Sequence, residues 1–115
     1  MQYLLLIHGD ETAMAAARKE DVAGMMAAYG AYAKAMREAD VSRGGERLHP
    51  AASAALVRAR DGKTSVVNGA HAEAKEQLGS YFLIEAPDLD AAIAWAARCP
   101  GAAHGTIEVR PVWAM

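Results

Sequence analysis

Two apolar segments mark the strands at the centre of the predicted fold. Residues 3–7 (Tyr-Leu-Leu-Leu-Ile) and Tyr81 to Ile84 are apolar at every position. A strand with one face in water would alternate apolar and polar residues, so both segments are expected to be covered on two faces. The later strand is predicted from Gly79 to Glu85. We therefore expect other parts of the protein to pack against each face of the sheet that contains these strands.

Apolar residues at three-and-four spacing predict a long helix from about Lys19 to Ala39. The alanine-rich segment before it, Thr12 to Arg18, is expected to form a short helical turn. A second helix is predicted from Leu89 to Arg98, where the Asp88 side chain accepts hydrogen bonds from the first free amides. The residues expected to face the core are Val22, Met25, Met26, Tyr29, Ala33 and Met36 on the first helix and Leu89, Ala92, Ile93 and Ala96 on the second.

Glycine-containing turns divide the middle of the chain. A loop and a short strand around Gly44 and Gly45 end at Pro50, and the glycine pair predicts a bulge or a close approach of two chain segments. Residues 61–63 (Asp-Gly-Lys) then separate Leu56–Arg60 from Thr64–Val67. Because Asp-Gly is typical of two-residue turns, these two segments are predicted to form a β-hairpin.

The last strand is predicted from Thr106 to Arg110, where apolar and polar residues alternate. Pro111 places this strand at an edge of the sheet, because proline cannot donate a ladder hydrogen bond. If Ile107 and Val109 face the helices, Glu108 and Arg110 face the opposite side of the sheet.

The order of predicted elements is strand, long helix, strand, inserted hairpin, strand, shorter helix, strand. This is the split βαβ, ferredoxin-like pattern, an α+β sandwich with both helices on one face of the sheet. The other face would be an exposed apolar patch unless a second copy of the chain covered it. We therefore expect one domain over residues 1–115 and a homodimer closed sheet to sheet.

Composition narrows the range of partners. The chain has 115 residues and a formal net charge of −2, so it lacks the basic surface that nucleic acid requires. Its single cysteine, Cys99, excludes an internal disulfide and a thiolate zinc cluster. The N-terminal apolar run is too short to serve as a signal sequence or to span a membrane. We predict a cytoplasmic protein without a nucleic-acid or membrane partner, and a small neutral or anionic ligand remains open.

Residues 68–79 (Asn-Gly-Ala-His-Ala-Glu-Ala-Lys-Glu-Gln-Leu-Gly) resemble a segment of the DGPF subgroup of the YCII-related family. That segment reads Asp-Gly-Pro-Phe-x-Glu-x-Lys-Glu, and Asn68, Ala70 and His71 stand here for its Asp, Pro and Phe. Residues 4–11, 44–50, 58–63 and 108–112 are similar to other blocks of the family. The resemblance thus extends over essentially the whole chain.

This resemblance implies a ferredoxin-like homodimer of the dimeric α+β barrel group. It implies little about activity, because most members have none determined, a few relatives are implicated in lyase-type chemistry, and many are encoded beside sigma factors. It also implies that five charged residues occupy polar positions that recur in the family, namely Glu46, Glu73, Lys75, Glu76 and Arg110.

Two of the four histidines are candidates for catalysis, because histidine moves protons near neutral pH. His8 ends the first strand, near the expected cleft between the uncovered sheet face and the partner. His71 follows a glycine turn and precedes Glu73, so these two side chains are candidates for a proton relay. Ordinary roles stay open for both, as a hydrogen-bonded histidine at position 8 and a surface loop histidine at position 71.

The sequence contains no pattern of a metal or cofactor site. His49 and His104 lie in predicted loops, and no two histidines show the i, i+4 helical spacing of a metal site. Neither a strand–GxGxxG–helix unit nor a phosphate-binding loop is present. We therefore predict no metal and no cofactor.

The predicted ligand-binding residues are Glu46, Arg58, Lys75, Glu76 and Arg110. Arg110 is expected either to anchor a small anionic molecule or to pair with a carboxylate, of which Glu108, Glu85 and Glu46 are the candidates. The charges from Glu73 to Glu76 fit a site and a solvated surface equally well. Arg58 and Arg60 are expected either to cap the cleft or to keep the hairpin soluble.

Two function classes follow. The first is a small enzyme that uses acid–base chemistry on a small polar or anionic organic molecule in a dimer cleft. The second is a non-catalytic module that binds a small ligand or has a regulatory role. The resemblance to the family implies a link of such a module to sigma-factor signalling. A titrating group whose loss removes turnover but leaves binding intact would distinguish the two.

Overall fold

A computed structural model describes residues 1–69 and 75–114, which form an α+β fold with antiparallel sheets. Its strands and helices, in chain order, are β1 (Gln2–Gly9), α1 (Glu11–Ala15), α2 (Lys19–Glu38), β2 (Ser42–Arg47), β3 (Ala55–Arg60), β4 (Lys63–Asn68), β5 (Gln77–Glu85), α3 (Leu89–Arg98) and β6 (Thr106–Pro111). Short 3₁₀ turns occur at Ala51–Ser53 and Pro100–Ala103. The predicted long helix, hairpin, capped second helix and final strand are all confirmed.

The main sheet has four strands in the order β2-β5-β1-β6, and every neighbouring pair is antiparallel. Strand β1 therefore has a partner on each side, as its apolar sequence predicts. Strand β6 forms one edge of the sheet, and Pro111 lies opposite Tyr3 at the end of that edge strand. This position agrees with the rule that proline is tolerated where a ladder bond is not needed.

The hydrophobic core lies between one face of the main sheet and helices α2 and α3. Alternate residues of β1, Tyr3, Leu5 and Ile7, are buried on this face. They pack with Ile84 of β5 and with buried residues of both helices. Ile107 and Val109 of β6 are packed against the same cluster, so their predicted orientation toward the helices is confirmed.

Helix α2 contributes a stripe that differs in part from the predicted one. Met36 is buried as expected, but Met26 is 58 % exposed, and Tyr32, which the prediction omitted, is buried. Tyr32 continues the three-and-four spacing through Tyr29 to Met36, whereas Met26 falls beside that line. The hydroxyl of Tyr32 donates a hydrogen bond of 2.7 Å to the carbonyl of Trp95, which ties α2 to α3.

Helix α3 begins as predicted, because a side-chain oxygen of Asp88 accepts the amide of Ala91 at 2.8 Å. Ala92 and Ala96 are buried as expected, but Leu89 and Ile93 are wrongly predicted as core, since they are 45 % and 47 % exposed. The helix meets the core through these alanines and Trp95, and Leu89 and Ile93 lie on the flank in contact with water.

The predicted glycine features are confirmed in both places. The pairing of β2 with β5 shifts register between Ser42 and Gly44, which is the expected bulge. A Cβ atom on Gly45 would lie 2.6 Å from the carbonyl oxygen of Tyr81, so the two strands approach closely there. In the hairpin, Asp61 and Gly62 have φ angles of 53° and 74°, as a two-residue turn requires.

Strands β3 and β4 form a two-stranded sheet of their own, separate from the main sheet. We call residues 55–68 the arm. Apart from the arm, the described chain is built around the main sheet and its helices. None of the helices within residues 1–69 and 75–114 has the length and apolar character needed to cross a membrane.

Candidate functional site

The face of the main sheet that points away from α2 and α3 is accessible in the chain. Directly paired residues of adjacent strands point to the same side of a sheet, and the register pairs Leu4 with Leu83 and Leu6 with Tyr81. All four side chains remain partly exposed. We call the surface centred on Leu4, Leu6, Tyr81 and Leu83 the open face.

A row of polar side chains from β6 borders the open face. Thr106, Glu108 and Arg110 lie opposite His8, Leu6 and Leu4 of β1, respectively. The alternation along β6 puts these three polar residues on the side away from the helices. The predicted orientation of Glu108 and Arg110 is therefore confirmed, and it brings Arg110 and His8 to the same border of the open face.

His8, Glu108 and Arg110 form one connected group. Nε2 of His8 lies 3.3 Å from Oε1 of Glu108, and the side chains are 29 % and 35 % exposed. The guanidinium of Arg110 donates to the other carboxylate oxygen of Glu108. Of the three carboxylates considered for Arg110, the structure pairs it with Glu108. Arg110 itself is 67 % exposed, so most of its surface still faces solvent.

The charges of this group act on one another. The hydrogen bond from Arg110 is the main reason why the pKa of the Glu108 carboxyl is lower than usual, and His8 lowers this pKa further. Glu108 therefore carries its negative charge across the neutral pH range. A carboxylate within hydrogen-bonding distance of an imidazole fixes the orientation of the ring.

A second hydrogen bond extends the polar border of the open face. The hydroxyl of Thr106 donates to Oε1 of Glu76 at 2.8 Å. Thr106 lies directly opposite His8 in the pairing of β1 with β6. Glu76 is one of the predicted ligand-binding residues, and the structure places it beside the end of β1 that carries His8.

The local sequence explains how His8 is held in place. Strand β1 ends at Gly9, and a side-chain oxygen of Asp10 then accepts the amides of Thr12 and Ala13 to start α1. On the other side, the backbone of Gly105 lies against the backbone carbonyl of His8, and a Cβ atom at position 105 would collide with it. The chain before β6 thus approaches the His8 backbone closely because residue 105 has no side chain.

The other predicted site residues do not join this group. Glu46 lies beside Tyr81 at the β2 edge, and three strand spacings separate it from Glu108, about 14 Å across the sheet. Arg58 lies on the arm and Lys75 is exposed. The predicted relay of His71 and Glu73 lies outside the described residues.

His8 lines neither of two concavities found among the described residues. The larger, with a volume of about 500 Å³, is lined by Gln2, Glu85 and Trp113, among others, at the opposite end of β1 from His8. In this region the N-terminal ammonium contacts Glu85 at 2.6 Å and lowers the pKa of that carboxyl. The smaller, of about 340 Å³, is formed by residues 47–50 and includes His49. The group around His8 lies outside both concavities, and its His8 and Glu108 side chains are partly exposed.

Sequence reasoning missed three contributions to the site. The sequence predicts Glu108 as a partner of Arg110 but not of His8, and it gives Thr106 and Gly105 no role in the site. The alternation along β6 indicates which side Glu108 faces, but only the register of β6 on β1 brings it to His8. Across residues 1–69 and 75–114, no three His, Cys, Asp or Glu side chains are grouped as metal ligands.

Comparison with known proteins agrees with this fold. The model of the YCII-related domain matches residues 1–115. An uncharacterised protein of Rhizobium meliloti (strain 1021) is 35 % identical over 114 residues, which cover 97 % of this chain and 92 % of that protein. A match along the full chain, together with a relative of nearly equal extent, shows that this chain belongs to the YCII-related domain family.

Proposed function

We propose that this chain is a small enzyme that uses His8 as an acid–base group on a small polar or anionic organic molecule. The observation that carries this proposal is the contact between Nε2 of His8 and the carboxylate of Glu108 on the open face. A histidine held by a carboxylate can accept a proton at one ring nitrogen while the other is fixed in orientation. Both side chains are partly exposed, so a bound molecule can reach them.

Arg110 supports an anionic or polar substrate. A guanidinium has five N–H donors, and pairing with one carboxylate oxygen of Glu108 uses only part of that capacity. Because two-thirds of the Arg110 side chain is exposed, its remaining donors are available to a ligand carboxylate or phenolate. A ligand bound there would lie on the same border as His8.

We further propose that the open face is closed by a second copy of the chain, which makes a cleft around His8. The support is apolar surface, since Leu4, Leu6, Tyr81 and Leu83 form a continuous patch that remains partly exposed in one chain. The strand order β2-β5-β1-β6 with both helices on the other face is the order of a ferredoxin-like fold, and it supports that finer assignment.

Membership of the DGPF subgroup and residence in the cytoplasm are further parts of the proposal. The subgroup is supported by the Glu-x-Lys-Glu pattern at residues 73–76, although Asn68, Ala70 and His71 differ from its naming motif. The competing function is a non-catalytic module that binds a small ligand or regulates, including in sigma-factor signalling. It uses the same surface but requires no proton transfer.

The proposal is tested first by binding. Small carboxylates and phenolates are screened by thermal shift against the parent, Arg110→Ala and Arg37→Ala, which removes an exposed arginine from α2. We expect saturable stabilisation of the parent and of Arg37→Ala that is lost in Arg110→Ala, because only Arg110 lies at the site. Light scattering and circular dichroism verify that all three proteins fold and assemble alike. Equal responses in all three would exclude Arg110 from binding.

A further inference from the structure

The arm exposes apolar side chains that no other part of residues 1–69 and 75–114 covers. Val57, Val66 and Val67 are 64 %, 59 % and 49 % exposed. Each arm strand has six residues, and their ladder bonds run to each other and not to the main sheet. A two-stranded sheet is marginally stable in water unless it packs against another surface. The exposed valines therefore indicate that another protein surface packs against the arm.

The two faces of the arm differ in charge. The register pairs Val57 with Val66 and Ala59 with Thr64 on one face, which carries no charged residue. We call this the uncharged face. The other face carries Arg58, Arg60 and Lys63 as well as the Leu56–Val67 pair. Burial of a charged side chain is costly unless it is paired, so the uncharged face is the one suited to dry contact.

The surface area of the chain is large enough for such a contact. A compact monomer of 12.1 kDa is expected to expose about 6,000 Å², whereas this chain exposes 8144 Å². The excess of roughly 2,000 Å² exceeds the roughly 800 Å² per partner of a standard interface. The radius of gyration of 16.0 Å likewise exceeds the value of about 13 Å expected for 115 residues.

Charge favours another copy of this chain as the partner. Within the arm, Arg58, Arg60 and Lys63 give three positive charges and Asp61 one negative charge, for a sum of +2. The whole chain carries −2, so the residues outside the arm carry −2 − (+2) = −4. A positive arm and a negative remainder are complementary between two copies. The negative charge outside the arm would repel the phosphates of a nucleic acid. The positive arm therefore does not indicate a nucleic-acid partner.

We propose that the uncharged face of the arm packs on a second copy of this chain, so that two arms are exchanged in the homodimer. This proposal rests on the homodimer proposed above and adds a second contact to it. In this arrangement Val57 and Val66 are buried by the partner subunit, and the three arm cations remain on the opposite, hydrated face of the arm. The exposed arm valines then gain packing that the described part of their own chain does not provide.

Two neighbouring valines give a matched test. Val66→Ser removes an apolar side chain from the uncharged face, and Val67→Ser makes the same change, with the same loss of strand propensity, on the other face. Sedimentation over a dilution series measures the dimer dissociation constant of each protein. We expect Val66→Ser to raise it roughly ten- to a hundredfold, because two valines are uncovered per dimer, and Val67→Ser to raise it by less than about threefold.

Several outcomes overturn the proposal. If the two serine variants have equal dissociation constants, the arm contact is refuted, whereas pairing through the open face is not. A parent chain that stays monomeric at high micromolar concentration refutes both contacts. If Val66→Ser fails to fold, hydrogen exchange of the parent decides instead. Arm amides must then exchange more slowly at high than at low protein concentration, and exchange independent of concentration would refute the contact.

Discussion

Replacing Leu83 by aspartate is the sharpest test of pairing through the open face. Leu83 lies in the middle of that surface, beside Leu4 of β1 and Gly44 of β2. It is partly exposed in one chain, so an aspartate there can remain hydrated in a monomer. In a dimer closed through the open face, the same carboxylate would enter an apolar interface without a partner.

The expected loss follows from what each subunit buries. Full burial of a leucine side chain is worth about 1.5–3 kcal/mol, and a symmetric dimer contains two copies of Leu83. The two replacements together should therefore weaken association by at least about 3–6 kcal/mol, before the cost of burying two carboxylates is added. This corresponds to an increase of about 10²- to 10⁴-fold in the dimer dissociation constant.

The assay is light scattering or sedimentation over a dilution series, with Leu89→Asp as the matched control. Leu89 is 45 % exposed at the start of α3, on the far side of the sheet, and an acidic residue is favourable in the first turn of a helix. The control should associate like the parent. Closure through the open face is refuted if Leu83→Asp forms dimers as tightly as Leu89→Asp.

Two further predictions concern stability. Tyr32→Phe should lower the free energy of unfolding by about 1–2 kcal/mol in a thermal or denaturant melt, because the carbonyl of Trp95 near the end of α3 loses its buried donor; an unchanged midpoint would contradict this role. The Glu108 carboxyl has a lowered pKa, so its ion pair stabilises the fold above the usual glutamate pKa and is lost as the pH falls through the folded value. The parent should therefore have a higher melting temperature than Glu108→Gln at about pH 7, and this difference should disappear by about pH 3. A difference that persists in acid would refute the stabilising role of the ionised Glu108 carboxylate.

The sequence was sufficient to predict the strands and helices, but it did not predict all of the residues that they bury. Strand β1, helix α2 and the hairpin carry strong local signals, namely an apolar run, a three-and-four stripe and an Asp-Gly turn, and all are found where predicted. The core face of α3 was predicted only in part, because Leu89 and Ile93 share a stripe with Ala92 and Ala96. How closely a helix approaches a sheet decides which part of a stripe is covered, and that distance depends on the partner surface.

The site, too, could be predicted from the sequence only in part. Alternation along β6 was enough to predict that Arg110 points away from the helices. The contact of Glu108 with His8 depends on strand register, which a single strand sequence does not specify. The close backbone approach of Gly105 to His8 is likewise a property of two segments far apart in the chain.

Solvent deuterium exchange tests most directly whether His8 transfers protons to and from a compound that the site binds. Small carbonyl-containing carboxylates that stabilise the parent in the thermal-shift screen are incubated with it in D₂O, and their C–H signals are followed by proton NMR. If His8 acts as a base, it removes a proton from the carbon next to the carbonyl and returns a deuteron derived from solvent.

The decisive comparison is between the parent and His8→Gln, which keeps a polar side chain that can reach Glu108. We expect the parent to replace C–H by C–D in a bound compound, and His8→Gln to bind the same compound with little or no exchange. Binding to the parent without exchange at any pH between about 6 and 9, or exchange that His8→Gln retains, would contradict proton transfer by His8.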